Sequence, residues 1–292
     1  MNFVPLVFLD AVASTLNELP IFADVKTTHD DLIVWKEAIE TQREQTFDVI
    51  FAADRHLKCS FRNLSTGKEF DYFSFKELQS SKLRIRQVIL QDSLSGKTAT
   101  TLDSLEKFKK VLDFVRPLAP YPMLKTAMTR YVGYDFLETL GDIEFHELIS
   151  SDGFESAVLT GAFMEKQLKS SRLKKCSAWP ETMSHSLKAS VKEFIATQPF
   201  LDVQLPTSIY VDSRMFTTIF ELPCEPRSVR KIGFWVNSSI YSKVKNFNIN
   251  RQQSKKNYKI VWLRRDNVQV TIDCLRENAI ARYYELTLSS LV

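Results

Sequence analysis

Residues 172–205 read RLKKCSAWPETMSHSLKASVKEFIATQPFLDVQL, and their pattern decides the fold class. Met183, Leu187, Val191, Phe194 and Ile195 recur at helical spacing, which predicts a helix over 181–196 with one buried face. Pro180 fits the first turn of that helix, and Pro199 lies beyond its end, where a helix stops. Short apolar runs at 172–178 and 200–205 flank it and read as strands. The unit is therefore strand, helix, strand.

The alternation extends both ways. Upstream, strands at 124–128 and 143–149 precede helices at 134–140 and 154–169. Downstream, a helix at 212–221 leads to a strand at 229–236, and strand-like runs at 258–264, 268–274 and 281–288 follow. The later units recur about every 28 to 30 residues, near the upper edge of leucine-rich-repeat periods. Each strand–helix unit of such a stack buries its apolar face against its neighbours. An ordinary α/β domain with helices of similar length fits the same pattern, and both readings stand at this point.

Before residue 100 the period differs. Runs at 47–51, 57–62, 69–75 and 82–91 read as strands, with a turn at 63–68. Residues 91–101 form a polar linker, and Leu105, Phe108, Leu112 and Val115 mark a helix after it. At the start, Leu6, Leu9, Val12, Ala13 and Leu16 share one face of a helix over 5–18, with Pro5 in its first turn and Pro20 beyond it. A second helix is predicted over 31–45, with Leu32, Trp35, Ala38 and Ile39 on its buried side. The expected fold class is α+β (mixed α/β): a helical module at 1–45, a small β-rich region at 46–100, and a strand–helix repeat-like domain at 101–292.

Composition narrows the function classes. The 292 residues are 44% apolar and 25% charged, the balance of a folded chain. With 21 Phe and only 7 Gly, the chain buries aromatic surface and offers few backbone positions for wrapping a phosphate. No apolar run reaches the roughly 18 residues of a membrane span. Residues 3–9 are apolar, but Pro5 and Asp10 and the lack of a preceding cation argue against a signal peptide. Cys59, Cys176, Cys224 and Cys274 are widely spaced, as in a reducing compartment. An intracellular location, cytoplasm or nucleus, is expected, with no membrane partner.

Motifs for catalysis are weak. Gly96-Lys97-Thr98 ends like a phosphate-binding loop, but Gln91 stands where the loop needs its first Gly. His146-Glu147 opens like a zinc-protease helix, but Ser150 stands where the second His belongs, and His29, His56 and His185 have no ligand-like spacing. Neither GxGxxG nor GxSxG occurs. The expectation is a non-catalytic chain with no cofactor and no metal.

The strongest electrostatic feature runs from Arg227 to Arg265, where basic residues are uninterrupted by Asp or Glu and interleaved with Phe234, Trp235, Tyr241, Phe247, Tyr258 and Trp262. Such a segment could stack on single-stranded nucleic acid, meet an acidic or phosphorylated protein surface, or be a solvated sheet face. The whole chain carries only +4, which argues against a dedicated nucleic-acid binder. Lys243, Lys245, Arg251, Lys255 and Lys256 form the candidate acidic-partner patch.

Val4-Pro5-Leu6-Val7-Phe8-Leu9-Asp10-Ala11-Val12-Ala13-Ser14-Thr15-Leu16 resembles the opening of an F-box, and Trp35 resembles the Trp of that motif's later helix. The phrase Trp179-Pro180-Glu181-Thr182, and a helix followed by Pro199-Phe200 and a strand, are similar to the lineage-expanded F-box families of nematodes. The resemblance implies that Pro5, Leu6, Leu9, Val12, Leu16 and Trp35 dock on a Skp-type adaptor of a cullin ubiquitin ligase. The later units would then hold a protein substrate. The alternative is a repeat-like protein-binding module with no ligase attachment.

Overall fold

A computed structural model describes residues 46–53, 56–78, 83–94, 98–128, 133–151, 155–209, 211–226, 228–237, 259–263, 267–277 and 281–290. The two helices predicted at 5–18 and 31–45 lie outside the described residues. The chain is mixed α/β and divides into two compact units, Met1–Tyr121 and Pro122–Val292. The helix predicted after the linker at 91–101 thus belongs to the first unit.

In the first unit, β1 (Thr46–Ala53) pairs antiparallel with β2 (Leu57–Asn63) and parallel with β4 (Arg84–Gln91). Two short strands, β3 (Glu69–Phe70) and β5 (Thr100–Leu102), continue along the far edge of β2. The expected strand at 69–75 is corrected here. It stops at Phe70, because the Asp71 carboxylate accepts from the Ser74 backbone N–H (2.7 Å) and starts helix α1 (Tyr72–Lys76). Turning the chain lets Phe75 stack on Phe61, centroids 4.0 Å apart, and meet Phe47 edge-on. Helix α2 (Leu105–Val115), capped by Ser104, brings Phe108 against Phe51. Five of the 21 phenylalanines build this aromatic core.

The second unit is a succession of strand–helix units. Its strands are β6 (Met123–Ala127), β7 (Glu147–Ser150), β9 (Lys175–Cys176), β11 (Asp202–Gln204) and β12 (Val229–Asn237). They lie side by side in chain order, every neighbouring pair parallel. Helices α3 (Tyr134–Leu140), α4 (Gly161–Lys169), α5 (His185–Thr197) and α6 (Ser213–Phe220) fill the crossovers, each packed on the next. The starts of β7, β9, β11 and β12 are 28, 27 and 27 residues apart. Beyond β12 the sheet turns antiparallel, in the order β15 (Ala281–Ser290), β14 (Val268–Glu277), β13 (Lys259–Leu263). Apart from this sheet, β8 (Glu155–Ser156) pairs parallel with β10 (Trp179–Pro180).

One residue per strand sits at the same level of the core. Leu124, Leu148, Cys176, Val203, Ile232, Leu286 and Ile272 are register partners in turn, and all are buried. This rung explains why strands as short as β9 suffice: a single side chain from each unit reaches the shared core.

The elements are shorter than predicted, for local reasons. The run at 143–149 is a strand only from Glu147, because the backbone before it is held by a side chain. Gln167 of α4, fully buried, accepts from the Phe145 N–H (3.0 Å) and donates to the carbonyls of Gly141 and Ile143 (3.2 and 2.9 Å). Backbone groups satisfied in that way need no strand partner. Helix α5 begins at His185, not 181: Ser184 is its cap, accepting from Leu187 N–H at 3.1 Å. Pro180 therefore lies in β10 rather than in the helix's first turn. Thr160 and Asp212 likewise set the starts of α4 and α6.

Candidate functional site

Strand alternation sends the neighbours of the core rung to the sheet face opposite the helices. Glu147, Lys175, Asp202 and Lys231 are register partners across β7, β9, β11 and β12, and all four are half-buried. Charges therefore alternate, one per unit, along this face. Lys175 Nζ lies 3.5 Å from the Glu147 carboxylate, and Lys231 Nζ lies 3.8 Å from Glu285 on β15. Asp202 accepts from Gln204 Nε2 at 2.7 Å. The row compensates its own charge, so it does not act as a one-sign field.

An aromatic corner closes one end of the row. The Tyr283 hydroxyl donates to Gln204 Oε1, and the Trp235 ring lies 5.3 Å from the Tyr283 ring at 60°. Gly233 makes this possible: a Cβ there would run into the Tyr283 hydroxyl and the Gln204 amide oxygen. The Trp235 indole N–H is shielded from water and has no hydrogen-bond partner among the described residues. A half-buried Trp235 backed by the buried Tyr283 ring, beside charged pairs, makes a surface suited to recognising another polypeptide.

The sequence-predicted sites fall elsewhere. Pro5, Leu6, Leu9, Val12, Leu16 and Trp35 lie outside the described residues, as do Lys243, Lys245, Arg251, Lys255 and Lys256. Within the basic segment, Arg230 and Lys231 are not free surface cations. Arg230 is buried, its guanidinium 5.6 Å over the Phe200 ring, and Lys231 pairs with Glu285. Phe234 is core, packed near Phe216 and Tyr284, while Trp235 reaches the open face.

Chemistry-bearing groups elsewhere are structural. Burial pushes the Cys59 and Cys176 thiols up, far from thiolate character. Burial also raises the Asp48 carboxyl in β1, against the opposing effects of Gln87 and Arg86. Among the described residues no group of three or more His, Cys, Asp or Glu is placed to hold a metal. No described helix is long and apolar enough to cross a membrane.

Sequence reasoning missed Glu147, Asp202, Gln204, Tyr283 and Glu285. The signal was present but faint: a polar residue on each side of a buried one in Lys175-Cys176-Ser177 and Asp202-Val203-Gln204, repeating at the unit spacing. Comparison with known proteins gave no match to any family model, curated protein or solved structure.

Proposed function

We propose that the chain is a non-catalytic protein-interaction adaptor, an F-box-like substrate receptor of a cullin-type ubiquitin ligase acting in the cytoplasm or nucleus. The observation that carries the reading is the open sheet face: charged side chains in register, one per strand–helix unit, ending in the Trp235–Tyr283 corner. Units of 27 and 28 residues with parallel strands resemble irregular leucine-rich repeats, whose open faces bind proteins. The F-box-like residues 4–16 and Trp35 support attachment to a Skp-type adaptor. In this mechanism the chain positions a substrate, and other subunits transfer ubiquitin.

The test is affinity purification of the tagged chain from its own cell type, beside a Lys231→Glu, Trp235→Ala variant. The reading expects a Skp-type adaptor with both proteins, and client proteins with the wild type alone. Clients without any adaptor would favour the second reading, a repeat-like binding module with no ligase attachment. That reading draws support from the open face itself. Identical partners for both proteins would remove the open face as the site.

A further inference from the structure

A second site lies in the helix layer, away from the open face. His185, Lys188, Ala189 and Lys192 of α5, with Ser208 and Ile209 from the segment after β11, line a half-open groove of about 280 Å³. Positions 185, 188 and 192 share one side of the helix, so three basic side chains converge on one concavity. Buried Ile209 forms part of its apolar floor. Ser208 is a lining residue, and its hydroxyl is shielded from water with no hydrogen-bond partner among the described residues.

No acidic side chain lines the groove, and neither Lys188 nor Lys192 makes an ion pair among the described residues. The adjacent carboxylates are engaged: Glu165 accepts from Ser186 and Glu155 from Thr207, each at 2.8 Å. The start of α5 is capped by Ser184, and the Glu165 carboxylate lies at its first turn, so the groove's positive character comes from its side chains rather than from the helix end. The cluster gathers three basic side chains around one concavity.

We propose that this groove binds a phosphoryl group, as a phosphate monoester. A dianion with three acceptor oxygens matches two ammonium groups, an imidazole and an unused hydroxyl better than a single carboxylate does. The half-open groove has room for the phosphoryl group and the atoms attached to it. The monoester could belong to a phosphorylated polypeptide or to a small metabolite; both present the same group. This site goes beyond the proposed function and shares none of its residues.

The experiment is titration calorimetry of the full chain with three probes: inorganic phosphate, O-phosphoserine, and a short uncharged peptide carrying one phosphoserine. Wild type is compared with Lys188→Gln, Lys192→Gln, with Ser208→Ala, and with a Lys109→Gln control on α2. Saturable binding that falls about tenfold or more in the double lysine variant, less in Ser208→Ala and not in the control, supports the site. A phosphopeptide that outbinds O-phosphoserine assigns the source to a polypeptide, and equal binding assigns it to small esters. The proposal is overturned by no saturable binding to wild type, by equal binding in the double variant, or by equal loss in the Lys109→Gln control. Thermal melts of each variant separate lost binding from lost folding. A failure here leaves adaptor and client capture untouched, so the two accounts fail separately.

Discussion

Phe194→Ala is the sharpest test of the layered second unit. Phe194 is only 2% exposed, and its ring stacks on Phe200, centroids 5.9 Å apart at 29°. Phe200 is itself fully buried and carries the Arg230 guanidinium on its ring. Removing the Phe194 ring deletes a large apolar side chain and leaves a cavity, a change that costs about 3–5 kcal/mol. The lost ring pair adds roughly 0.5–1.5 kcal/mol within that range. Relaxation of Phe200 would also loosen Arg230, a buried cation, which pushes the cost towards the upper end. Urea unfolding followed by the fluorescence of the four tryptophans, among them Trp179 buried in this unit, is the assay. With a slope of about 2–3 kcal/mol per molar urea, the midpoint should fall by about 1–2 M with the slope unchanged. A midpoint within about 0.2 M of wild type would refute the packing of α5 on its strands.

Three further outcomes follow from the same geometry. Gln167→Leu should destabilise the second unit by about 2–4 kcal/mol, because the Phe145 N–H and the Gly141 and Ile143 carbonyls lose a shared partner; a loss below about 0.5 kcal/mol would contradict it. Gly233→Ala should expel the Tyr283 hydroxyl from Gln204 and change Trp235 fluorescence while far-UV circular dichroism stays native; unchanged Trp235 emission would count against the close approach. Asp48 is held above its ordinary value of 3.8, so the fold binds its proton more tightly than the unfolded chain does. Its contribution then falls as pH rises from 3.8 through the raised value, and Asp48→Asn should melt higher than wild type at pH 7 with that fall removed; a lower melting temperature at pH 7 would reverse the sign.

Helix α5 was legible because Leu187, Val191, Phe194 and Ile195 follow helical spacing over more than two turns, and all four are buried. Its start was not, because Pro180 has the residue type of a first turn while Ser184 makes the capping bond. Strands of two or three residues cannot show alternation, so flanking loop residues such as Leu173 and Leu205, buried without being in strands, lengthened the reading. Gln167 has the composition of a surface residue, and only the arrival of 141–145 makes it core. The open-face row is invisible in linear order for the same reason. Glu147, Lys175, Asp202 and Lys231 are separated by whole units, and parallel pairing alone aligns them. The burial of Arg230 was not legible either, because composition does not reveal that Phe200 lies under it.

The most direct measurement is reconstitution of the purified chain with a purified Skp-type adaptor, followed by size-exclusion chromatography with light scattering. Leu6, Leu9, Val12 and Leu16 form the apolar face that an F-box lends to its adaptor. Burying one such leucine stabilises a complex by roughly 1.5–3 kcal/mol, and a carboxylate placed there costs at least as much. The account predicts a one-to-one complex with wild type, and none with Leu9→Asp, Val12→Asp, whose second unit still melts cooperatively at the wild-type temperature. Wild type that elutes apart from the adaptor, or a double variant that still forms the complex, would contradict it.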